Sequence, residues 1–405
     1  MTAVVAQGRL LDLVEQRIKK VSAPVNIRLW NGRFLEAPQA SSVTLTVKSP
    51  RALAQLANPA LGKLARCYVE GDIDVDGSMR EVIRAGEVLV ANQTPVYGSA
   101  LRPLSWWRHS RKADRRNIQS HYDVGNDFYG LWLDRNRVYS CAYFRSLDDS
   151  LDVAQEQKLD HICRKLLLKS GERLLDIGCG WGGLILWAVR HYGVNALGIT
   201  LSEGQYAYAT QRIRELGLQD RCQVRLLDYR DVPEDQPFDK ISSVGMFEHV
   251  GKHNLPVYFD KIQRLLKPGG LVMNHGITTN SLDDAQLGGG IGEFVEDYVF
   301  PGGELMHVSH VMREMARHGM EVWDAECLRP HYARTLWHWV DRLEAAKDTA
   351  RAMVGDKALR VWLIYMAGSA HAFARGWISI YQLLGVKAHR DGSQPLPPTR
   401  EHLYS

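Results

Sequence analysis

A glycine-rich turn between a hydrophobic strand and a helix limits the fold of this chain more than any other feature. Leu174-Leu175-Asp176-Ile177 has the character of a buried strand and leads into Gly178-Cys179-Gly180-Trp181-Gly182-Gly183. Glycine permits backbone angles that other residues resist, and it lets a ligand approach the main chain closely. The segment therefore predicts a strand–turn–helix unit with a ligand at the turn.

Strand-like and helix-like segments alternate from about residue 118 onward. Five segments predict strands, namely RLLDIG, NALGIT, QVRLLDY, KISSVGM and GLVMNHGI, and helical segments separate them. This rhythm is typical of a parallel, doubly wound α/β sheet.

The positions of acidic residues distinguish between two ligands for the glycine turn. Gly178, Gly180 and Gly183 satisfy G-x-G-x-x-G, which alone is a weak indication of a dinucleotide enzyme. Such an enzyme needs an acid about 20 residues later, but the next strand ends in Gly198-Ile199-Thr200-Leu201-Ser202. Asp176, just before the first glycine, stands where methyltransferases carry an acid. The turn resembles motif I of class I S-adenosylmethionine-dependent methyltransferases, whose Rossmann-like sheet has seven strands.

The region before residue 106 predicts a second, smaller α/β domain. A chain of 405 residues is long enough for two domains. Alternating residues at 43–48 and 69–77 predict strands, and MREVIRAGEVLVAN predicts a helix. We therefore predict a docking domain over 1–105, a linker over 106–117 and a methyltransferase domain over 118–405.

The segment before the methyltransferase domain, residues 101–117, carries paired tryptophans among six Lys and Arg residues. One interpretation is a solvated linker. The other is an interfacial contact, because Trp favours the headgroup boundary and each basic residue near anionic lipid adds about 1 kcal/mol.

Charge and cysteine usage exclude several other functional classes. The net charge of +4 is mild: it permits contact with an anionic surface but does not indicate a nucleic-acid binder, which would need a dense basic stripe. The six cysteines have no paired metal spacing, so we predict reduced thiols and no metal site. No segment approaches the roughly 20 apolar residues needed to span a bilayer. We expect a cytoplasmic protein that contacts the inner face of the membrane peripherally.

A narrower resemblance rests on several uncommon motifs in order. They are HYDVGNDFY at 121–129, YSCAYF at 139–144, the glycine turn, LDYRD at 227–231, SVGMFEHVG at 243–251 and NHGIT at 274–278. Together they resemble the cyclopropane-fatty-acyl-phospholipid synthase family over essentially the full length. The resemblance implies transfer of the S-adenosylmethionine methyl group to a cis double bond of a membrane phospholipid acyl chain. It also implies a lipid-binding N-terminal domain and a homodimer.

By this resemblance, four segments bind the methyl donor. The implied residues are Tyr139, Ser140, Gly178, Gly180, Thr200, Leu201, Gln205, Asp228, Tyr229 and Arg230. The residue types agree in part with these implied roles. Loop glycines suit the methionine portion of S-adenosylmethionine, and Gln205 can hydrogen-bond its ribose in place of the missing acid. An exposed helix residue is the alternative interpretation of Gln205.

The resemblance further implies that a bound bicarbonate accepts the proton lost after methyl transfer. Its implied ligands are the side chains of Glu248, His275 and Tyr332 and backbone groups at Cys141 and Ile277. His and Tyr can donate to a small anion, and a carboxylate can accept from its hydroxyl. Each residue alone has a structural interpretation: a helix cap for Glu248 and a core histidine for His275. His249 we interpret as structural.

Other expectations concern aromatic residues and thiols. Aromatic faces tolerate a cationic intermediate, and Tyr143, Phe144 and Phe247 are candidates, with core packing as the alternative. Cys141 is not predicted to be a nucleophile, because sulfonium methyl transfer to an alkene needs no covalent enzyme intermediate. Ser369 departs from the family, many members of which carry cysteine there, so we expect that position to be structural or only modulating.

Alternative functions remain open. A relative of the same fold that makes a methyl or methylene branch differs only in which proton leaves the cation. A small-molecule N-methyltransferase and a non-catalytic lipid-binding protein are the further alternatives.

Overall fold

The computed structural model describes residues 2–90, 97–98 and 125–404. The predicted linker over 106–117 and the motif residues 121–124 lie outside this part of the chain. The chain divides into two compact units. The first comprises residues 1–100, 285–301 and 339–372, and the second comprises 101–284, 302–338 and 373–405. The domain boundaries at 105 and 118 stay a prediction.

The helices and strands follow one another in an order that agrees with the predicted alternation. The helices are α1 (Thr2–Val21), α2 (Pro50–Ala57), α3 (Leu61–Val69), α4 (Met79–Val90), α5 (Asn126–Gly130), α6 (Leu151–Lys165), α7 (Gly183–Tyr192), α8 (Glu203–Glu215), α9 (Phe247–Val250), α10 (Leu255–Leu265), α11 (Ile291–Tyr298), α12 (Val308–Arg317), α13 (Arg329–Ala345), α14 (Lys347–Arg375) and α15 (Glu401–Tyr404). The strands are β1 (Asn26–Leu29), β2 (Phe34–Leu35), β3 (Thr44–Val47), β4 (Ile73–Asp76), β5 (Arg173–Ile177), β6 (Asn195–Thr200), β7 (Cys222–Leu226), β8 (Phe238–Val244), β9 (Leu266–Thr279), β10 (Met306–His307), β11 (Glu321–Cys327) and β12 (Ile378–Val386).

The first unit contains a small mixed sheet of order β2-β1-β3-β4. Strand β3 alternates between buried and half-buried residues, as its sequence predicts. Its buried face and helix α1 share one core, which includes Leu11, Val14, Ile27 and Val47. Helix α2 begins at Pro50, and the hydroxyl of Ser49 accepts a hydrogen bond from the Ala52 N–H as an N-cap.

The second unit is built on a sheet of order β11-β12-β9-β8-β5-β6-β7, and β10 pairs with β9. Strands β5 to β9 are parallel, as predicted. Strand β12 runs antiparallel to both β9 and β11, so the sheet is mixed rather than wholly parallel. This arrangement is that of class I methyltransferases.

Two cores cover the two faces of this sheet. Successive residues of a strand point to opposite faces. Leu175 and Ile177 of β5 therefore belong to one core, with α10 and α12, and Leu174 belongs to the other, with α6 and α7. Helices on both faces bury β5 completely from Leu174 to Ile177, and this leaves its carboxyl end as the place where a ligand can reach the strand.

No helix within the described ranges is long and apolar enough to cross a membrane.

Candidate active site

A pocket opens at the carboxyl ends of β5 and β6 in the second unit. Eight of the ten predicted donor residues line it: Tyr139, Ser140, Gly178, Gly180, Thr200, Leu201, Gln205 and Tyr229. These residues come from four separate segments, so their convergence reflects the fold and not sequence proximity. A pocket at the ends of parallel strands is where open α/β sheets bind their ligands.

The glycine turn exposes its backbone to this pocket. Gly178 and Gly180 have φ angles of +78° and +56°, in the region that side-chain-bearing residues rarely adopt. The N–H groups of Gly178 and Cys179 donate to the Ile199 carbonyl at 3.0 and 2.9 Å. The turn is thereby fixed to β6, and its glycines leave room for a ligand against the main chain.

Gln205 lies inside the pocket wall rather than on an exposed helix face. Its side chain is only 5% exposed, which excludes the interpretation of an ordinary surface residue. The Thr200 hydroxyl donates to Gln205 Oε1 at 2.9 Å, and the Ser202 hydroxyl accepts from the Gln205 N–H at the start of α8. The bonded carbonyl oxygen fixes the amide and leaves its N–H₂ group as the end that can donate.

Of the DYRD segment, the structure brings only Tyr229 into the pocket wall. Asp228 and Arg230 form an ion pair with each other, in which Arg230 Nη2 lies 2.6 Å from Asp228 Oδ2. Both carboxylate oxygens receive guanidinium hydrogens, and Asp228 Oδ1 also accepts from the Arg230 N–H. This pairing holds the turn that carries Tyr229.

Two buried charges that sequence reasoning left out of the site also line the pocket. Lys158 of α6 and Asp176 of β5 are both buried, and the Ser242 hydroxyl donates to Asp176 at 2.7 Å. Burial raises the pKa of Asp176 to about 6 and lowers the pKa of Lys158 to about 8. Asp176 follows from the motif, whereas Lys158 lies mid-helix with no motif to mark it.

Aromatic rings and a histidine complete the wall. Trp181 packs on Tyr129 at 4.8 Å between ring centroids, and Tyr129 contacts Tyr139 at 5.7 Å. His249, for which the sequence predicts only a structural role, lies in the pocket wall, so that interpretation is incomplete.

The predicted aromatic candidates lie elsewhere. Tyr143 is stacked between His161 and His331, at centroid distances of 4.3 and 4.8 Å. Phe144 stacks on His338, and Phe247 is buried in the core. The contacts of all three rings therefore fit the alternative interpretation, which is packing.

The segment Tyr139–Phe144 is clamped between two helices. From α6, Gln155 Nε2 donates to the Ser140 carbonyl at 2.8 Å and Lys158 Nζ to the Ser140 hydroxyl at 2.7 Å. From α13, Thr335 Oγ1 and His331 Nδ1 accept from the N–H groups of Ala142 and Phe144, both at 3.0 Å. One rigid segment therefore links the donor pocket to Cys141.

Glu248 is buried beside strand β9. Its Oε1 accepts a hydrogen bond from the Ile277 N–H at 2.6 Å, and its Oε2 is buried with no partner among the residues that the structure describes. Burial raises the pKa of Glu248 to about 7. A half-satisfied buried carboxylate is costly in an apolar setting, and such groups cluster at functional sites.

His275 has the same unsatisfied character. It is fully buried in β9, its Nδ1 lies 3.3 Å from Gln382 Nε2, and its Nε2 has no partner within the described residues. Burial, together with the neighbouring charges of Lys158 and Lys165, holds the pKa of His275 well below its ordinary value. The ring is therefore neutral near pH 7.

A row of contacts across the sheet joins the remaining predicted residues. Ile277, bonded to Glu248, is paired with Ile380 of β12, whose carbonyl accepts from the Leu328 N–H at 2.9 Å. The Leu328 carbonyl in turn accepts from Cys141 Sγ at 3.8 Å and from the Tyr332 N–H at 3.0 Å. Glu248, Ile277, Tyr332 and Cys141 thus lie along one row, although they are far apart in sequence.

Two details refine the chemistry of this row. The Ile277 N–H already donates to Glu248, so a direct contact from it to an anion must compete with that bond. Burial raises the pKa of the Cys141 thiol far above its ordinary value, which leaves it protonated and unsuited to act as a nucleophile.

Comparisons with known proteins extend over both regions of the chain. A family model described as mycolic acid cyclopropane synthetase matches residues 109–383, and one described as a domain of unknown function matches residues 14–92. A probable fatty acid methyltransferase of Pseudomonas putida is 45% identical over 395 residues, which cover 98% of this chain and 100% of that protein. Tuberculostearic acid methyltransferase UfaA1 of Mycobacterium tuberculosis is 32% identical, over 89% of this chain and 87% of that protein.

Solved structures agree with these relatives. The crystal structure of mycolic acid cyclopropane synthase CmaA1 complexed with SAH and CTAB superposes with a TM-score of 0.63 at 34% identity. The match covers 67% of this chain and 97% of that one.

Proposed function

The chain belongs to the mycolic acid cyclopropane synthetase family of S-adenosylmethionine-dependent, lipid-modifying methyltransferases, and from this membership we propose a specific reaction for it. The methyl group of S-adenosylmethionine is transferred to the cis double bond of an unsaturated phospholipid acyl chain, and a cyclopropane ring is formed. The family and the donor follow from the comparisons. The phospholipid acceptor, the ring and the proton acceptor are the proposal.

The donor pocket suits a charged sulfonium nucleoside. The glycine turn offers backbone to the donor, and the Gln205 amide offers a donor group to a ribose. S-adenosylmethionine, when bound, supplies an electrophilic methyl group. An alkene is a weak nucleophile, so the clamped segment Tyr139–Phe144 contributes chiefly by fixing the geometry of the two partners.

One observation carries the proposal of a bound proton acceptor: two polar atoms, Glu248 Oε2 and His275 Nε2, are buried on adjoining segments without a partner among the described residues. Gly245 lies between β8 and Glu248, and its N–H donates to the His275 carbonyl at 2.7 Å, so the two segments lie side by side. A carboxylate that accepts and an imidazole N–H that donates suit a small anion carrying one proton. Bicarbonate fits this donor and acceptor set.

Glu248, His275, Tyr332 and the backbone at Cys141 and Ile277 are the groups that would hold bicarbonate. When bound, bicarbonate supplies a proton acceptor close to the acyl chain. The chain's own contribution is to bury and orient this acceptor away from water, because the cationic state that follows methyl addition must be protected from hydration. In this scheme Glu248 would accept a hydrogen bond from the bicarbonate hydroxyl and is not itself the base.

A methyl-branched product is the second candidate, and the relatives favour it specifically. Two of them, at 45% and 32% identity over most of the chain, are named for methylation of fatty acids rather than for cyclopropanation. Ring closure and branching share methyl addition to the alkene and diverge in which proton leaves the cation, and a proton loss that does not close the ring leaves a branched chain that keeps a carbon–carbon double bond.

The deciding experiment combines purified protein and S-adenosylmethionine with vesicles of cis-unsaturated phospholipid. Mass spectrometry of the acyl chains and proton NMR then identify the product. A one-carbon gain with upfield cyclopropane protons is the expected result. The same gain with olefinic or branched-methyl signals would establish the second candidate, and methylation of added small amines instead would overturn the lipid acceptor.

Two controls make the result specific. Vesicles of saturated phospholipid should give no product, because they lack the nucleophilic double bond. Carbonate-depleted buffer should lower turnover, and added bicarbonate should restore it, while a turnover indifferent to bicarbonate would remove that ion from the proposal.

The proposal also includes how the protein meets its substrate. The basic, tryptophan-bearing segment at 101–117 and the N-terminal domain are proposed to contact the membrane surface peripherally from the cytoplasm. A homodimer would engage one membrane with two such contacts and gain avidity. Co-sedimentation with anionic and neutral vesicles, and the mass of the protein in solution, test these two points.

A further inference from the structure

The pairing of β9 with β12 places one buried amide directly against His275. In this antiparallel pair, Gln382 of β12 is the register partner of His275 of β9. Both side chains are 0% exposed, and Gln382 Nε2 lies 3.3 Å from His275 Nδ1. Cross-strand partners on one face of a sheet are held by the ladder itself, so this contact is built into the fold.

The orientation of the Gln382 amide determines which ring nitrogen of His275 carries the proton. A neutral imidazole has one N–H and one acceptor nitrogen. If the Gln382 amide donates to Nδ1, then Nδ1 is the acceptor and the proton lies on Nε2. Nε2 is the nitrogen that has no partner among the described residues, so it is the one that can meet a ligand.

We propose that Gln382 is a positioning residue that fixes the Nε2–H tautomer of His275 and directs this N–H at the anion in the active site. This inference rests on the proposed function for the identity of that anion. It extends that function by naming a residue, outside every motif, on which proton acceptance depends.

The chemistry requires this tautomer. Glu248 has a buried carboxylate oxygen without a partner among the described residues, on a segment that lies beside β9, and an ionised carboxylate only accepts hydrogen bonds. An Nδ1–H tautomer would add the lone pair of Nε2 as another acceptor, and a bound anion would then lose the donor that His275 provides. With the Nε2–H tautomer, His275 donates to the anion without carrying a net charge.

Nitrogen NMR of the full-length protein labelled with ¹⁵N-histidine tests the inference directly. The two tautomers give different ¹⁵N shifts for Nδ1 and Nε2, and His275→Gln identifies the signals of this ring among the other histidines. In carbonate-free buffer, without donor or lipid, we expect the wild-type ring to be protonated at Nε2 and unprotonated at Nδ1. Protonation at Nδ1 would overturn the proposal.

A variant then tests whether Gln382 is the cause. Gln382→Met keeps the length and burial of the side chain but cannot donate to the ring. We expect the His275 signals to move toward the average of the two tautomers, and those of the other histidines to stay in place. Unchanged His275 signals in the variant would also overturn the proposal, and the wild-type measurement holds even if this variant does not fold.

Kinetics separate positioning from a purely structural role. Turnover of Gln382→Met should fall on the order of tenfold, equivalent to the loss of one buried hydrogen bond, while the KM for the methyl donor stays unchanged. An unaltered kcat would contradict the positioning role.

Adding bicarbonate to the wild type tests whether the Nε2–H meets this anion. If the Nε2–H is present and its ¹⁵N shift does not respond to bicarbonate, the anion assignment fails while the tautomer assignment stands.

Discussion

The ammonium group of Lys158 lies 2.7 Å from the hydroxyl oxygen of Ser140 at the wall of the donor pocket. Lys158 is 2% exposed and lies in the field of two buried carboxylates, Asp134 and Asp176. A buried ammonium is costly unless it is paired and hydrogen-bonded. The hydrogen bond to Ser140 and the nearby carboxylates offset this cost. We therefore infer that Lys158 orients Ser140 and compensates the charge of Asp176.

Lys158→Met should therefore weaken donor binding. The Ser140 hydroxyl loses the group that orients it, and two buried acids lose their nearby cation. We expect the Kd for S-adenosylmethionine to rise about tenfold or more, which corresponds to roughly 1.4 kcal/mol. Isothermal titration calorimetry measures the change.

The matched control for this variant is Lys169→Met. Lys169 is exposed, so the same chemical change there should leave donor affinity unaltered. Equal affinities for wild type and Lys158→Met would contradict the role of Lys158 in the donor pocket.

Glu248→Gln should abolish most turnover and spare donor binding. The amide keeps the shape and the acceptor for the Ile277 N–H but replaces the second carboxylate oxygen with a donor group. A donor at that position cannot accept the hydroxyl of a bicarbonate ion. Turnover and donor affinity, measured on one preparation, check both parts, and unchanged turnover would remove Glu248 from the site.

The same substitution should stabilise the fold at alkaline pH. Burial raises the pKa of Glu248 from 4.5 to about 7, so the folded state binds its proton more tightly than the unfolded state does. The contribution of this proton to the free energy of unfolding is complete below pH 4.5 and is lost as pH rises through 7. At pH 8 the ionised carboxylate costs on the order of 3 kcal/mol, and the uncharged amide of the Glu248→Gln variant avoids this cost.

Denaturant unfolding at two pH values tests this prediction. Glu248→Gln should exceed the wild type in unfolding free energy at pH 8, and the difference should shrink near pH 5. A difference that is the same at both pH values would show that ionisation of Glu248 is not its cause.

Gly276→Ala should destabilise the second unit. A Cβ at position 276 would overlap the ring of Phe247, which is 1% exposed and packed in the core. Overpacking of this kind typically costs about 1–3 kcal/mol. Thermal unfolding should show the loss of stability, and an unchanged unfolding midpoint would contradict the close packing of Gly276 against Phe247.

Gly368→Ala is the control, because its Cβ meets nothing within 4 Å and helix propensity favours alanine by about 1 kcal/mol.

Much of the fold and of the donor site is predictable from the sequence because both are encoded locally. The buried strand 174–177 and its glycine turn are recognisable from a short segment, and Thr200 and Gln205, which the resemblance implies, lie at and just after the end of the next strand. Strand β12 escapes prediction because it is buried at every position except Tyr381, and burial on both faces leaves ISIYQLLGV without the sustained alternation of apolar and polar residues that marks a half-buried strand. Its antiparallel direction follows from pairing partners far away in sequence.

The residues that sequence reasoning misses are those whose role depends on a distant partner. Lys158 lies mid-helix, and only the folded chain brings it to Ser140. Gln382 lies in β12, which the sequence does not predict, and only the β9–β12 register brings it to His275. Neither residue has a local pattern, so composition and spacing contain no signal for them.

Cys141→Ser should lower turnover only severalfold. Burial raises the pKa of the thiol, and its Sγ contacts the carbonyls of Leu328 and Ala142 rather than any base. Serine preserves these two hydrogen bonds with a smaller atom, so the expected loss of turnover is severalfold, in line with about 1 kcal/mol for a small core change. The kcat of this variant on phospholipid vesicles is the measurement. A loss of a thousandfold or more would mean that the thiol takes part in bond making, and the row from Glu248 to Cys141 would need a covalent step that its geometry gives no reason to expect.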